Sequence, residues 1–252
     1  MRIRVIAAAA ALIVTASSAH AAEIDAMITT AMKAAVDELA PPFERANGHV
    51  LRITYGPSGG LARRLNAGEA ADLVVVDSKA LDELIKQGKV VGGRTDVART
   101  GIGIAVRKGA SKPDVSSPEA LRRALLAAKS IAHTAPAGGG VTAAHVMGVF
   151  EKLGIAAEVT PKVKLAAGGP SGRVSVLVSS GEAEIGLQQV SELMSNPEIE
   201  VIGMLPGELQ QMTTYSAGVT TSARQLDPAK AFIRHLAAPE AIAIYKTKGL
   251  AL

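Results

Sequence analysis

Residues 72–76 read Asp-Leu-Val-Val-Val, an apolar run with no polar face. A strand of this kind is stable where helices cover both faces of a sheet, as in parallel α/β architectures. The rest of the chain repeats the arrangement. Strand patterns occur at Val50–Tyr55, Gly101–Val106, Ser130–Thr134, Val159–Leu165, Ile185–Gln189 and Tyr215–Thr220. Helical spacing separates them. Ile28–Phe43 carries apolar residues at that spacing, and Pro41-Pro42 is expected to end or sharply bend the helix. Leu61–Asn66 follows a Gly/Pro/Ser turn, and Ser78 is the expected N-cap of a helix over Lys79–Gln87. Ser117-Pro118 places an N-cap and an N1 proline before a helix that runs to about Ala128. Gly154 stops a helix over Val141–Leu153, and Arg173–Ser180 is the next. Asp227-Pro228 opens the last helical region, with Pro239 starting a second helix. The alternation predicts an α/β fold with mostly parallel sheets.

Three Gly/Ser loops follow strands and lead into helices, at Ser58-Gly59, at Gly140 before Thr142, and at Ser171 before Arg173. In such sheets ligands collect at the carboxyl ends of the strands. There the helix N-termini present unpaired N–H groups and the positive end of the helix dipole. Several such termini converging would make an anion site built of backbone and hydroxyl groups.

Composition narrows the chemistry further. No Cys is present, which excludes disulfides, thiolate metal sites and a Cys nucleophile. The aromatic residues are three Phe and three Tyr, with no Trp, too few for a site that stacks sugars or bases. The formal net charge is +4, and no block of like charges suggests nucleic acid as a partner. The His residues lack a paired metal-ligand spacing, so neither a metal nor another cofactor is expected.

The first 21 residues have the form of a secretory signal. Arg2 and Arg4 precede an apolar run, Val5–Val14, and Ala19-His20-Ala21 offers a small-x-small cleavage site. The run is too short to span a bilayer, which needs about 20 apolar residues. The expected product is an exported, periplasmic protein with no spanning segment, cut after about Ala21. Loss of Arg2 and Arg4 leaves 25 basic residues against 23 acidic ones.

The stretches AVDELAPPFERANGH (Ala35–His49) and GPSGGLARRLNAGEAADLVVVD (Gly56–Asp77) occur in one order with VFEKLGI (Val149–Ile155), SSGEAEIGLQQ (Ser179–Gln189) and FIRHLAAPEAIAIYKTKGL (Phe232–Leu250). In phrase and order the chain resembles the substrate-binding proteins of molybdate-type ABC importers. The resemblance implies a monomer of two α/β lobes joined by two crossings, near Thr100–Ile102 and Ala217–Val219. Lobe one would be residues 22–101 plus 218–252, and lobe two 102–217. A small anion would sit between them, and the membrane subunits of an ABC importer would be the partner.

The same resemblance implies binding roles for Ser58 and the adjoining Gly59, for Thr142 and for Ser171. It also marks two departures. The serine expected in the first helix falls on Ala31, with Thr29 and Thr30 as the neighbouring hydroxyls, and the tyrosine expected at the end of a later strand falls on Gln189. A glutamine accepts as well as donates hydrogen bonds, which suits an organic acid better than a bare oxyanion. The "GLQQ" phrase also resembles a branch that includes aconitate isomerase. Arg173, beside the Ser171 loop, and Arg63, beyond Ser58, are candidate forks for a carboxylate. In an isomerase of an unsaturated polycarboxylate, His133, His145 and Glu192 are the candidate bases.

Overall fold

The computed structural model describes residues 21–138, 141–167 and 173–252. The signal segment, apart from Ala21, lies outside these residues, as do Gly140 and the Gly168–Gly172 loop with Ser171.

The chain begins with β1 (Glu23–Thr29), α1 (Lys33–Asn47), β2 (Val50–Gly56), α2 (Ser58–Asn66), β3 (Leu73–Asp77), α3 (Ser78–Lys86) and β4 (Val90–Thr100). It continues through β5 (Ile102–Arg107), α4 (Pro118–Ala127), β6 (Ile131–Thr134), α5 (Val141–Lys152), α6 (Ala156–Val159), β7 (Val163–Ala166), α7 (Val174–Ser180), β8 (Ile185–Gln189), the short α8 (Val190–Leu193) and β9 (Ile199–Met204). It closes with β10 (Thr213–Thr220), α9 (Leu226–Leu236) and α10 (Pro239–Thr247).

Two five-stranded sheets result, in the orders β2-β1-β3-β10-β4 and β7-β6-β8-β5-β9. Each is mixed rather than mostly parallel. β1 runs parallel to β2 and β3, and β6 parallel to β7 and β8. β10 and β5, however, pair antiparallel with both of their neighbours. Those two strands follow the passages of the chain between sheets, so they enter from the opposite end.

Side-chain alternation divides each sheet between two layers. Ile24, Ala26 and Ile28 of β1 join a core with α1, α9 and α10. Met27 points to the opposite layer, with Leu61 and Leu65 of α2 and Leu81 and Leu84 of α3. In the second sheet, Leu187 faces the layer of α4 and α5, while Ala105 and Ala132 face α7.

The strand β1 overturns the expectation of a helix from Ile28. Ile28 is fully buried at the centre of the first sheet, where strand pairing outweighs the local 3.6-residue spacing. The helix starts at Lys33 and continues through both prolines to Gly48, whose φ of 68° ends it. Pro41 and Pro42 lack the N–H groups that Asp37 and Glu38 would receive, but all four residues are exposed, so water hydrates the freed carbonyls. Phe43 on the buried face holds the helix down, its ring 4.9 Å from that of Phe232. The N-cap of α3 is Asp77 rather than Ser78, with its carboxylate accepting from Ala80 N–H at 3.1 Å. Ser117 caps α4 as expected, accepting from Ala120 N–H at 3.1 Å.

The chain leaves the first sheet at Thr100 and enters the second at Ile102. It returns through residues 205–212, earlier than the expected crossing at Ala217–Val219, because Thr213 already pairs with Thr100 in the first sheet. The two passages are joined by one side chain. The Gln210 amide accepts from Ile102 N–H at 3.0 Å and donates to Ile102 C=O at 3.0 Å, as a strand neighbour would. The C-terminus braces the same place. Ala251 exchanges backbone bonds with Arg99, and the Thr100 hydroxyl donates to Gly249 C=O at 2.8 Å.

Candidate functional site

Ser58, Asp77 and Thr30 all stand at the carboxyl edge of the first sheet, just beyond β2, at the end of β3 and just beyond β1. Ser58 is buried as the first residue of α2, and its Oγ accepts from Asp77 N–H at 3.1 Å. With a lone pair so engaged, the hydroxyl proton of Ser58 finds no acceptor among the described residues. Gly59 follows it within the first turn of α2.

Asp77 is paired in register with Tyr215 of β10. The Tyr215 side chain is buried, and its phenol is pushed well above its ordinary value by that burial, then by the charges of Glu192 and Asp77. Two residues back on the same strand, Thr213 Oγ1 accepts from the Gln189 amide at 3.1 Å. Gln189 ends β8 in the second sheet and is also buried. Glu192, in the adjoining α8, accepts a 3.0 Å hydrogen bond from the Thr30 hydroxyl. Burial raises the Glu192 carboxyl above the usual carboxylate range, opposed by that hydrogen bond and by the positive charge of Arg173.

Linked in part by hydrogen bonds and in part by register or charge, Ser58, Asp77, Tyr215, Thr213, Gln189, Glu192, Thr30 and Arg173 form one candidate set. Both sheets contribute to it. Thr142 lies buried in the first turn of α5, on the face of the second sheet that Leu187 also occupies. Arg173 precedes α7 and is exposed, so its charge reaches Glu192 from the rim.

At the register of the expected serine, Ala31 is buried in the core of the first lobe. Thr29 is buried as the last residue of β1, and Thr30 is the hydroxyl that reaches across to the second sheet. Arg63 lies on the exposed side of α2, along a groove of about 500 Å³ with Tyr55 and Gly56.

The two histidines sit apart from this set. His133 is buried against Phe150, 6.0 Å between rings, and its Nδ1 meets Thr134 C=O at 2.9 Å. Burial lowers its pKa, only partly offset by that carbonyl. His145 places Nε2 2.7 Å from Leu209 C=O, which ties α5 to the returning passage. Each ring thus has a backbone partner, whereas Glu192 is held by a side chain from the other lobe.

Sequence reasoning missed Asp77, Thr213 and Tyr215. Asp77 had a signal, since it is the polar residue that closes the run Leu73–Val76. Thr213 and Tyr215 had none, because their strand comes from the far end of the chain. Asp72, part of the motif quoted above, has a structural task instead. Its carboxylate accepts from the N–H groups of Asp25, Arg224 and Gln225, at 2.8, 2.6 and 2.9 Å, and so ties β1 to the start of α9.

Comparison with known proteins follows the same outline. Residues 24–251 match the family model described as bacterial extracellular solute-binding protein. An aconitate isomerase from a Pseudomonas species is 33% identical over 221 residues, which cover 85% of this chain and 82% of that protein. The molybdate-binding protein ModA of Azotobacter vinelandii is 27% identical over 242 residues, 94% of this chain and 93% of that one. The solved structure of the Azotobacter vinelandii periplasmic molybdate-binding protein superposes with a TM-score of 0.71 at 21% identity, covering 90% of this chain and 98% of that one.

Proposed function

The chain belongs to the bacterial extracellular solute-binding protein family, and we propose that it captures a small organic acid between its two lobes for delivery to an ABC importer. In this reading it is exported as a monomer to the periplasm with residues 1–21 removed. The observation that carries the ligand class is the pairing of free donors with carboxyl groups in one site. Ser58 offers a hydroxyl proton at the start of α2, and Arg173 offers a guanidinium at the rim. Beside them stand Asp77 and Glu192, both close enough to raise the Tyr215 phenol. A compact, multiply charged oxyanion would meet that negative charge directly. An organic acid spreads its charge over separate carboxylates and offers other atoms to the carboxyl side of the site. Thr142 and the Ser171 loop are assigned as further donors by the family resemblance.

Calorimetry with molybdate, sulfate and a panel of di- and tricarboxylates tests this reading. A carboxylate should bind, and Ser58→Ala should weaken it by about tenfold, the worth of one hydrogen bond to a charged group. Tight molybdate binding with no response to any carboxylate would sink the organic-acid reading.

A second reading is favoured by Glu192. A carboxyl raised above its usual range, and fixed by a hydroxyl from the opposite lobe, has the properties of a proton-transfer group. In an isomerase of the aconitate type, it would take one C–H proton allylic to the double bond. The electron pair would spread over the double bond and its carboxylate, and the proton would return at the other end. One C–H bond breaks, one forms, and composition is unchanged. Proton NMR of cis- and trans-aconitate with the protein in D2O would show interconversion with deuterium uptake, abolished by Glu192→Gln. Unchanged spectra over hours with wild-type protein would end this reading.

A further inference from the structure

Among the described residues, two buried side-chain oxygens have no hydrogen-bond partner, Gln189 Oε1 and Ser191 Oγ. The Gln189 oxygen is the more informative, because it is a pure acceptor and the amide and backbone N–H groups around it are committed elsewhere. The amide nitrogen of Gln189 donates to Thr213 Oγ1, and the backbone N–H of Gln189 goes to Gln188 Oε1 at 3.0 Å. Gln188 spends its own amide on Thr134 Oγ1 at 2.6 Å. Val190 N–H is taken by Gly101 C=O at 3.0 Å, and Ile102 N–H by Gln210. Gln189 is only 2% exposed, so bulk water does not meet the need.

The position of this oxygen follows from strand alternation. Leu187, two residues back on β8, lies in the layer that α5 covers, and Gln189 shares its face. Thr142, in the first turn of α5, is buried on that side. Gln189 therefore ends its strand on the face that α5 covers, where the proposed function places the ligand. A buried carbonyl oxygen without a donor is costly, and an ionised oxygen brought against it would be repelled.

We infer that the ligand supplies an O–H group to Gln189 Oε1, so that the substrate class is an organic acid bearing a hydroxyl or one un-ionised carboxyl. This rests on the reading that the cleft takes an organic acid. It makes Gln189 a specificity residue that selects by what the ligand donates, while Ser58 and Arg173 select by what it accepts.

Matched acids separate the two sources of the O–H. Binding of malate against succinate, and of citrate against propane-1,2,3-tricarboxylate, would be measured from pH 5 to 8 for wild type and Gln189→Leu. If the donor is a hydroxyl, wild type should prefer malate or citrate by about tenfold at every pH, and the variant should lose that preference. If it is an un-ionised carboxyl, wild-type affinity should fall by about tenfold per pH unit above the acid's own pKa, and the variant should flatten that slope. An unchanged ratio together with an unchanged slope in Gln189→Leu would overturn the inference alone. Failure of all four acids to bind wild type would overturn the organic-acid reading and this inference together. Should Gln189→Leu not fold, Gln189→Met keeps the length of the side chain and removes the acceptor, and the same two readouts apply.

Discussion

The hydroxyl of Thr30 and the carboxylate of Glu192 lie 3.0 Å apart although 162 positions separate them in the chain. Thr30 follows the first strand of one sheet, and Glu192 follows the third strand along the order of the other. The bond thus spans the two lobes at the site itself and holds a carboxyl group in surroundings that resist its ionisation.

Glu192 should make stability depend on pH. Its folded pKa is raised, chiefly by burial, above the model-peptide value of 4.5. Below that value both folded and unfolded chains carry the proton, and the contribution of Glu192 to stability is fully present. As pH rises, the unfolded chain releases the proton first, and the contribution is lost until the folded pKa is passed. Other charged groups facing the carboxyl are Arg173, which works against the shift, and Asp77 near the shared neighbour Tyr215. Melting curves from pH 4 to 8 should therefore show Glu192→Gln gaining on wild type as pH rises. A constant difference between the two would refute this assignment.

Asp72→Ala should be among the most damaging single changes in the first lobe. The carboxylate serves three backbone N–H groups, on β1 and at the start of α9, and Asp72 is 2% exposed. Leaving them unpaired should cost about 3 kcal/mol or more. For a chain of this size, that corresponds to a Tm lower by roughly 6–12 °C. Urea denaturation gives the figure directly, and a loss under about 0.5 kcal/mol, the range of ordinary surface changes, would contradict it.

Gln210→Ala should loosen the connection between lobes more than either lobe. The Ile102 N–H would lose its partner, while its C=O would keep only the Leu205 N–H. Native-state hydrogen exchange should speed up at Ile102, while Ile28 and Val75 in the centre of the first sheet keep their protection. Equal acceleration at all three amides would show that Gln210 supports the whole fold instead.

Gly101→Ala should be destabilising for steric reasons. A Cβ there would lie 2.3 Å from Met204 Cε and 2.9 Å from Gln210 Nε2. The Met204 side chain is 44% exposed and can swing away, but the Gln210 amide is fixed on Ile102. The expected cost is about 1–3 kcal/mol. Adding Met204→Ala should recover only part of it, since the clash with Gln210 persists. Full recovery in the double variant would locate the strain at Met204 alone.

Much of this architecture is legible in local pattern. The runs at 50–55, 72–76, 130–134 and 185–189 hold β2, β3, β6 and β8, and Ser117-Pro118 and Gly154 bound their helices as capping chemistry requires. Local pattern failed where a segment's partners were distant. Glu23–Thr29 reads poorly as a strand, because both its faces are buried by elements far along the chain. β4 and β9 were not anticipated, being edge strands, one largely exposed and the other mostly half-buried, with little alternation. The antiparallel half of each sheet was invisible for a related reason, since strand direction depends on where the chain crosses.

The candidate site divides in the same way. The amino-acid sequence by itself pointed to Ser58 and Thr142 at helix starts as candidate donors, because a Gly/Ser loop between strand and helix leaves N–H and O–H groups unpaired at a known place. It also determined that Gln189 stands where a related chain would carry a phenol. Only the tertiary structure decided which carboxyls join them. Asp77, Tyr215 and Glu192 meet because β10 returns to the first sheet and α8 leans against the end of β1. The ionisation of Glu192 and the empty acceptor on Gln189 are consequences of burial, and burial is a property of the packed chain rather than of any short stretch of it.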